Sequence, residues 1–186
     1  MELRWPHERM LDDYVAALRT GWSPNTMRPE AAHEELERIA EDAGGFVDSL
    51  VDRGATGPPI RQPDGSLTPR LPGYRKWMWD GAFSGTVNFR WQPGTNELPA
   101  HVPGHIGYSV VPWKRRRGYA TQAVAAILDD ARAEGLTEVE ITTDLDNIGS
   151  QRVIEHNGGV LVERFEKSGA DGAIPSLRYR VDLTPA

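Results

Sequence analysis

The sequence predicts an α/β (α+β) fold, in which a mixed, mostly antiparallel central sheet is flanked by helices. Two stretches of the chain carry this prediction. Residues 74–91 hold two apolar segments joined by a short turn, a pattern typical of antiparallel strands. Residues 106–183 then alternate between strand-like and helix-like patterns. The residues before and after the glycine- and proline-rich loop of residues 55–73 do not form a complete domain on either side alone, so we expect one domain over residues 1–186.

Residues 1–54 are predicted to be helical. Pro6 suits the first turn of a helix, because a proline there loses no hydrogen bond. Apolar residues then recur at helical spacing from Met10 to Leu18, and Gly21 is the expected stop. A second helix is predicted from about Pro29, with an acidic face that we expect to be solvated.

Gly44 and Gly45 are expected to interrupt this second pattern, and a further helical piece is predicted from Phe46 to Val51. Residues 55–73 follow as a long loop rich in glycine and proline, for which no regular structure is predicted. Long loops in compact domains are often binding loops.

Residues 74–183 are predicted to form the sheet core. Tyr74–Trp79 and Phe83–Trp91 have strand patterns, and Asp80-Gly81 between them is a hairpin-type turn. The later elements expected are a strand over residues 106–111, a helix over 118–134, a strand over Glu138–Thr143, a helix over Ser150–His156, and strands over Val160–Phe165 and Leu177–Leu183.

Composition excludes several classes of protein. The chain is 39% hydrophobic and 26% charged, which fits a folded soluble domain. It has no cysteine, which excludes a disulfide scaffold, a thiolate zinc site and a cysteine nucleophile. No apolar run approaches the roughly 20 residues of a membrane span, and no signal-peptide pattern opens the chain. We therefore expect a cytoplasmic protein with no membrane partner, and its net charge of −6 argues against nucleic acid as a partner.

Residues 104–121 hold the pattern that bears most directly on function. A strand ends at Pro112, the cationic run Lys114–Arg117 follows, and a helical pattern begins at Gly118. The first N–H groups of a helix have no internal partner and lie at the positive end of its dipole. A basic run is commonly just a solvated surface. The strand–turn–helix context favours a phosphate site instead.

This turn is similar to a known motif. Its pattern Arg115-x-x-Gly118-x-Ala120, after a strand that ends in Val-x-Pro, resembles the acetyl-CoA motif of the GNAT N-acetyltransferase family. A second block, from Asn147 to Gly159, is similar to the Asn-x-x-Ser…Glu-x-x-Gly segment of the same family. The two blocks stand in the family's order, and the resemblance covers residues 74–183. It implies the acyl-CoA N-acyltransferase (GNAT) fold, with acetyl-CoA as co-substrate and no metal.

The resemblance also implies the residues that bind the cofactor. The backbone of Ser109, Val110 and Val111 would pair with the pantetheine arm, and one N–H there would polarise the thioester carbonyl. Asn147 would bind the pantetheine, cap the following helix, or do both. The pyrophosphate would be held by Arg116, Arg117, Gly118, Tyr119, Ala120 and Thr121. Lys114 and Arg115 would reach either other phosphates or only water.

The catalytic candidates are Ser150, Tyr108 and Glu140. Many family members have a tyrosine seven residues after the asparagine as general acid, but Ile154 occupies that position here. We therefore consider Ser150 as proton donor, with a helix N-cap as its alternative role. Glu140 is the carboxylate candidate on the preceding strand. The candidate bases, acting directly or through water, are His101, His105 and Tyr108.

We therefore expect an N-acetyltransferase that moves an acetyl group from acetyl-CoA to a primary amine by direct nucleophilic attack. The acceptor would be a small-molecule or peptide amine, bound between the N-terminal helices and the loop of residues 54–73. A homodimer is compatible with the resemblance. The alternative is a non-catalytic acyl-CoA-binding or regulatory module, which the missing tyrosine motivates. A nucleic-acid or protein-interaction domain using Lys114–Arg117 is disfavoured by the acidic balance.

Overall fold

The computed structural model describes residues 1–26, 28–61, 66–169 and 172–184. The helices are α1 (Leu11–Arg19), α2 (Ala31–Glu41), α3 (Ala43–Asp48), α4 (Tyr119–Ala133) and α5 (Ile148–His156). The strands are β1 (Glu2–Arg4), β2 (Val51–Asp52), β3 (Ile60–Arg61), β4 (Leu67–Thr68), β5 (Gly73–Trp79), β6 (Phe83–Arg90), β7 (Ile106–Val110), β8 (Glu138–Asp144), β9 (Val160–Gly169) and β10 (Gly172–Asp182).

The longer strands form two antiparallel sheets. The first has the order β1-β5-β6-β7, with β2 also paired to β5. The second has the order β8-β10-β9, and β3 and β4 form a separate two-stranded ribbon. The predicted fold class is confirmed, and the structure adds that the sheet is divided between β7 and β8.

The two sheets meet at a single junction just before β7. The His105 N–H donates to the Glu140 carbonyl over 2.8 Å, and the Glu140 N–H donates to His105 Nδ1 over 2.9 Å. Within the described residues, no other backbone hydrogen bond joins β7 to β8. Beyond this junction, the edge of β7 that faces β8 has no paired strand among the described residues. We call the gap between these two strands the crevice.

Side chains of β6 and β7 alternate between two faces of the first sheet. One face packs on α4 and α5 through a core that includes Val87, Phe89, Ile106, Val124, Ile127 and Ile154. The other face is covered in part by the N-terminal helices, whose core includes Leu11, Tyr14, Trp22, Phe46, Trp77 and Phe83. Each sheet face thus has its own hydrophobic core.

The N-terminus differs from the prediction. Residues Glu2–Arg4 form β1 against β5, and a 3-10 turn over Glu8–Met10 precedes α1, so no helix begins at Pro6. A strand of three residues has too short a pattern to be recognised from the sequence. His7 starts the turn instead, because its Nδ1 accepts the Arg9 N–H over 3.1 Å.

The two adjacent glycines also differ from the prediction. Gly44 and Gly45 lie in the first turn of α3 and do not break a helix. Asp42 caps this helix, since its Oδ1 accepts the Gly45 N–H over 2.9 Å. A Cβ on Gly45 would collide with that carboxylate, which explains the glycine. Val51, predicted to be helical, pairs with Tyr74 as part of β2.

The loop predicted over residues 55–73 contains the β3–β4 ribbon, although residues 62–65 lie outside the described part. Asp52 fixes the start of the loop, because its carboxylate accepts the N–H groups of Thr56 and Gly57 over 2.8 and 2.9 Å. The strands and helices predicted after residue 73 are confirmed within a few residues, and β9 and β10 extend further than expected. None of the helices in the described ranges is long and apolar enough to cross a membrane.

Candidate functional site

The turn between β7 and α4 has an unusual backbone. A 3-10 turn over Pro112–Lys114 follows β7, and Arg116 after it has a backbone φ of 63°. Gly118 precedes the first residue of α4 with a φ of 75°. Side chains rarely adopt this left-handed region, so a glycine suits the second position and the arginine is strained. The turn at the start of α4 therefore has a strained backbone conformation, which costs folding free energy.

The N–H groups of residues 116–121 all lie in this turn or in the first turn of α4. Within the described ranges, none of them donates a hydrogen bond to a protein acceptor. The first bond of the helix begins one residue later, from the Gln122 N–H to the Gly118 carbonyl over 3.0 Å. A row of free N–H groups at a helix N-terminus binds phosphate. The half-buried Thr121 hydroxyl lies in the same turn.

Asp80, in the β5–β6 turn, binds one residue of the turn between β7 and α4 and the first residue of α4. Its carboxylate accepts hydrogen bonds from Lys114 Nζ and from the Tyr119 hydroxyl, the latter over 2.6 Å. The bonds from Lys114, Tyr119 and Ser84 hold the pKa of Asp80 well below its usual range. Of the two expected roles for Lys114, phosphate or water, the structure shows neither, because Asp80 and the Ala82 carbonyl bind the ammonium group.

The remaining arginines of the turn are exposed. Arg115 donates from Nε to the Val110 carbonyl over 3.2 Å, which ties it to the end of β7. Arg117 lies 3.9 Å from Asp80 Oδ2, a weak contact for a surface ion pair. Arg116 makes no such contact among the described residues. Arg116 is therefore without a partner among the described residues, and Arg115 and Arg117 each keep further guanidinium N–H groups exposed to solvent.

The unpaired edge of β7 lies directly before the turn in the chain and provides further backbone groups for a ligand. The Val111 N–H donates to the Ser84 carbonyl over 3.1 Å, so Val111 is already paired with the neighbouring strand. Successive residues of an antiparallel strand alternate between paired and unpaired sides. Ser109 therefore also faces β6, whereas the backbone groups of Tyr108 and Val110 face the crevice. Of the three residues expected to pair with a pantetheine arm, Val110 is the one whose N–H faces the crevice, while its carbonyl already accepts the Arg115 Nε.

Tyr108 and Ser150 are brought together across the crevice. The two hydroxyl oxygens lie 2.7 Å apart, and the tyrosine is also 3.3 Å from the Ser150 carbonyl. Burial raises the pKa of Tyr108 to about 12, although the Ser150 hydrogen bond acts in the opposite direction. The phenol therefore stays protonated at neutral pH. A protonated phenol can donate a hydrogen bond but cannot take a proton from an amine, which favours a donor role over the base considered from the sequence.

Asn147 caps α5, so Ser150 does not. The Asn147 Oδ1 accepts the Ser150 N–H over 3.0 Å, in the usual geometry of an N-cap. The Ser150 hydroxyl is left for its contact with Tyr108. The capping role considered for Ser150 thus belongs to Asn147.

The other candidates are placed differently. Glu140 is bound to Arg178 over 2.6 Å and to Arg180 over 3.4 Å, and so its carboxylate is occupied. His105 is fully buried, and burial is the main cause that lowers its pKa to about 4. Ile154 lies in the hydrophobic core. Within the described part of the chain, no three His, Asp or Glu side chains are grouped as a metal site.

Sequence reasoning missed Asp80 as a partner of the turn. Its Asp80-Gly81 pattern indicated only a hairpin, because contacts with Lys114 and Tyr119 depend on how β5 and β6 pack beside the turn. It also missed the polar group formed by Asn88 and Arg90 on β6. Alternating polar residues on that strand were the available signal.

Comparisons with known proteins point to one family. A family model described as an acetyltransferase (GNAT) domain matches residues 2–160. Among solved structures, RimL, a ribosomal-protein alpha-N-acetyltransferase in complex with coenzyme A, matches with a TM-score of 0.65 at 13% identity, covering 98% of this chain and 94% of that one. The microcin self-immunity acetyltransferase MccE, in complex with acetyl-CoA and AMP, matches with a TM-score of 0.60 at 12% identity, covering 97% and 91%.

A chimera of the Vibrio cholerae spermidine N-acetyltransferase SpeG matches with a TM-score of 0.60 at 12% identity, covering 98% of this chain and 97% of that chain. At such identities the likeness is one of fold. A comparison with curated proteins finds no match.

Proposed function

Since the chain belongs to the GNAT acetyltransferase family, we propose that it transfers the acetyl group of acetyl-CoA to a primary amine. The observation that carries this proposal is the row of free N–H groups at residues 116–121, which continues into the open edge of β7. A phosphate cradle followed by an unpaired strand edge suits a ligand with a pyrophosphate and an amide-containing arm.

The residues divide by the part of the cofactor that each would bind. The N–H groups of residues 116–121, the Thr121 hydroxyl and the arginines Arg115–Arg117 would bind the pyrophosphate. The N–H of Val110 would bind the pantetheine arm, whose direction along β7 leads to Tyr108 and Ser150. The thioester would therefore lie close to that hydroxyl pair.

The reaction needs a nucleophilic amine and a stabilised leaving thiolate. The amine nitrogen attacks the thioester carbonyl carbon, the carbon–sulfur bond breaks, and the proton lost by the amine balances the proton gained by the thiolate. An edge N–H of β7 would stabilise the developing oxyanion. Tyr108, protonated at neutral pH, would donate a hydrogen bond to the thiolate directly or through Ser150.

The amine proton would leave through water. Glu140 is bound in ion pairs with Arg178 and Arg180, and the buried His105 has its Nδ1 occupied by the Glu140 N–H. Neither is therefore proposed as the base. The names of two fold neighbours, one acting on spermidine and one on a ribosomal protein, support an amine acceptor in general terms.

We further propose that the chain works as a single cytoplasmic domain with acetyl-CoA as co-substrate and no resident metal. The sequence composition and the continuous match over residues 2–160 support this.

Calorimetric titration with acetyl-CoA, together with release of free CoA in the presence of an amine panel, tests the function. We expect binding in the micromolar range and thiol release only when an amine is present. Absence of binding at millimolar acetyl-CoA would refute the proposal.

A non-catalytic acyl-CoA-binding module is the second candidate. It is favoured by Ile154, buried where a proton donor is common in the family, and by the occupied carboxylate of Glu140. Binding of acetyl-CoA without thiol release from any amine would favour this candidate over the enzyme.

A further inference from the structure

Two donors converge on the face of β7 opposite α4. Asn88 on β6 lies directly across from Gly107 on β7, and Arg90 lies one step further along the same face. A methyl group placed on Gly107 would be 3.8 Å from Arg90 Nη2 and 4.0 Å from Asn88 Nδ2. Gly107 has no side chain to fill the space between the two donors, and Asn88, Arg90 and Gly107 are each half-buried.

Arg90 carries a charge that the protein does not balance. Its guanidinium is partly buried and forms no hydrogen bond or ion pair with the described residues. Burial alone lowers the pKa of Arg90, with no carboxylate acting against it. Partly buried cations are normally paired with an anion, because a charge that loses its hydration without gaining a partner costs free energy. The neighbouring Arg75 shows the normal case, because Glu35 binds it over 3.0 Å.

Asn88 is oriented as a donor toward the same space. Its Oδ1 accepts a hydrogen bond from Arg75 Nε over 2.9 Å, which assigns the oxygen to that side. Its amide nitrogen therefore points to Gly107, whose carbonyl lies 3.5 Å away. The carbonyl takes at most one of the two amide hydrogens, so one N–H remains for a ligand.

This pair of donors lies next to the proposed reaction centre. Gly107 immediately precedes Tyr108, and adjacent Cα atoms are about 3.8 Å apart. Tyr108 projects to the α4 face and to the crevice, while Gly107 opens toward the N-terminal helices. An amine that reaches the thioester from the helix side would pass over Gly107.

We propose that the acetyl acceptor is a small amine that also carries a carboxylate, and that Arg90 and Asn88 bind this carboxylate above Gly107. The inference rests on the proposed acetyltransferase function. Guanidinium and amide N–H groups suit the two oxygens of a carboxylate, and a charge-assisted bond of this kind is stronger than a neutral one. Arg90 and Asn88 thus select the acceptor, while the 116–121 turn binds the cofactor.

The test compares amines that differ only in that charge. Glycine, β-alanine and aminohexanoate are each paired with their amides, and kcat/KM is measured by thiol release. We expect the kcat/KM of at least one acid to exceed that of its amide by about tenfold or more, mainly through a lower KM.

The variants test which residues cause this preference. Arg90→Gln should remove it, and Arg90→Lys, which keeps the charge but loses the planar guanidinium, should retain part of it. Gly107→Ala should lower it, since the added methyl meets only ordinary contacts and fills the space.

Arg19→Gln is the matched control, because Arg19 is an exposed arginine at the end of α1. It should keep the wild-type preference, and all variants should bind acetyl-CoA normally. Equal kcat/KM for every acid and amide, or a preference that survives in Arg90→Gln, would refute the carboxylate site and leave the acetyltransferase intact. If acetyl-CoA binds but no amine is acetylated, the enzyme proposal fails separately. Calorimetry of aminohexanoate with the CoA-bound protein then still tests Arg90, whose change to Gln should abolish binding.

Discussion

Replacing Ala120 with glutamate should weaken acetyl-CoA binding through charge. Ala120 lies in the first turn of α4, half exposed, and its N–H belongs to the free row at residues 116–121. For a carboxylate and a phosphate group about 5 Å apart, Coulomb's law gives the size of the repulsion. The repulsion per phosphate charge is then roughly 1–3 kcal/mol for effective dielectric constants between 80 and 20. That energy corresponds to about a 5- to 150-fold higher Kd.

Isothermal titration with acetyl-CoA measures this change, and Ala120→Gln separates charge from size. Both side chains have nearly the same volume, so a steric effect would appear equally in both variants. We expect Ala120→Glu to bind much more weakly than Ala120→Gln, and the difference to shrink as ionic strength rises. Equal affinities for the two variants would show that the phosphates do not lie at this turn.

Three further predictions concern residues around the same site. Tyr108→Phe should lower kcat by about 10- to 100-fold without changing the Kd of acetyl-CoA, because only the hydroxyl is lost. Since the pKa of Tyr108 is about 12, the wild-type rate should not fall between pH 7 and 10, and a fall near pH 8 would contradict the donor role. Asp80→Asn should weaken acetyl-CoA binding and lower the melting temperature by about 2–4 °C, because Lys114 loses its ionic partner. The lowered pKa of Asp80 means that its contribution is present above the unfolded pKa of about 3.9 and is lost as pH falls further, so wild type and variant should differ at pH 7 and converge in strong acid. Gly118→Ala should cost about 1–2 kcal/mol of stability, because its φ is 75°, and should also weaken cofactor binding. Gly135→Ala, at a φ of 88° away from the site, should lower the melting temperature in calorimetry similarly but leave the cofactor affinity unchanged.

The elements after residue 73 could be predicted because their signals are local. The turn before α4 has local signals, which are Pro112 after β7 and Gly118 before the first helical residue. The strand β1 could not be predicted, since three residues have no measurable periodicity and its pairing with β5 is a long-range contact. The sequence signal that was missed near Gly44 and Gly45 is Asp42. A capping residue at this position allows a helix to begin at the glycines instead of ending there.

The strand–turn–helix form of residues 106–133 was predictable from the sequence, whereas the contacts of the candidate catalytic residues were not. The sequence named Tyr108 and Ser150 separately, but their contact joins residues from two elements on opposite sides of the crevice. Glu140 has the expected strand position, yet its pairing with Arg178 depends on the register of β8 and β10. Register follows from packing, and the sequence pattern alone does not fix it.

The single junction between the two sheets has a consequence for behaviour in acid. The pKa of His105 is about 4, below its ordinary value of 6.5, so the folded protein binds fewer protons at this ring than the unfolded chain does. Its contribution to stability is complete above pH 6.5 and declines as the pH falls from 6.5 to 4. A protonated ring cannot accept the Glu140 N–H. Mild acid therefore removes one of the two hydrogen bonds between His105 and Glu140 at this junction, and amide exchange at Glu140 should become faster before the rest of the molecule unfolds.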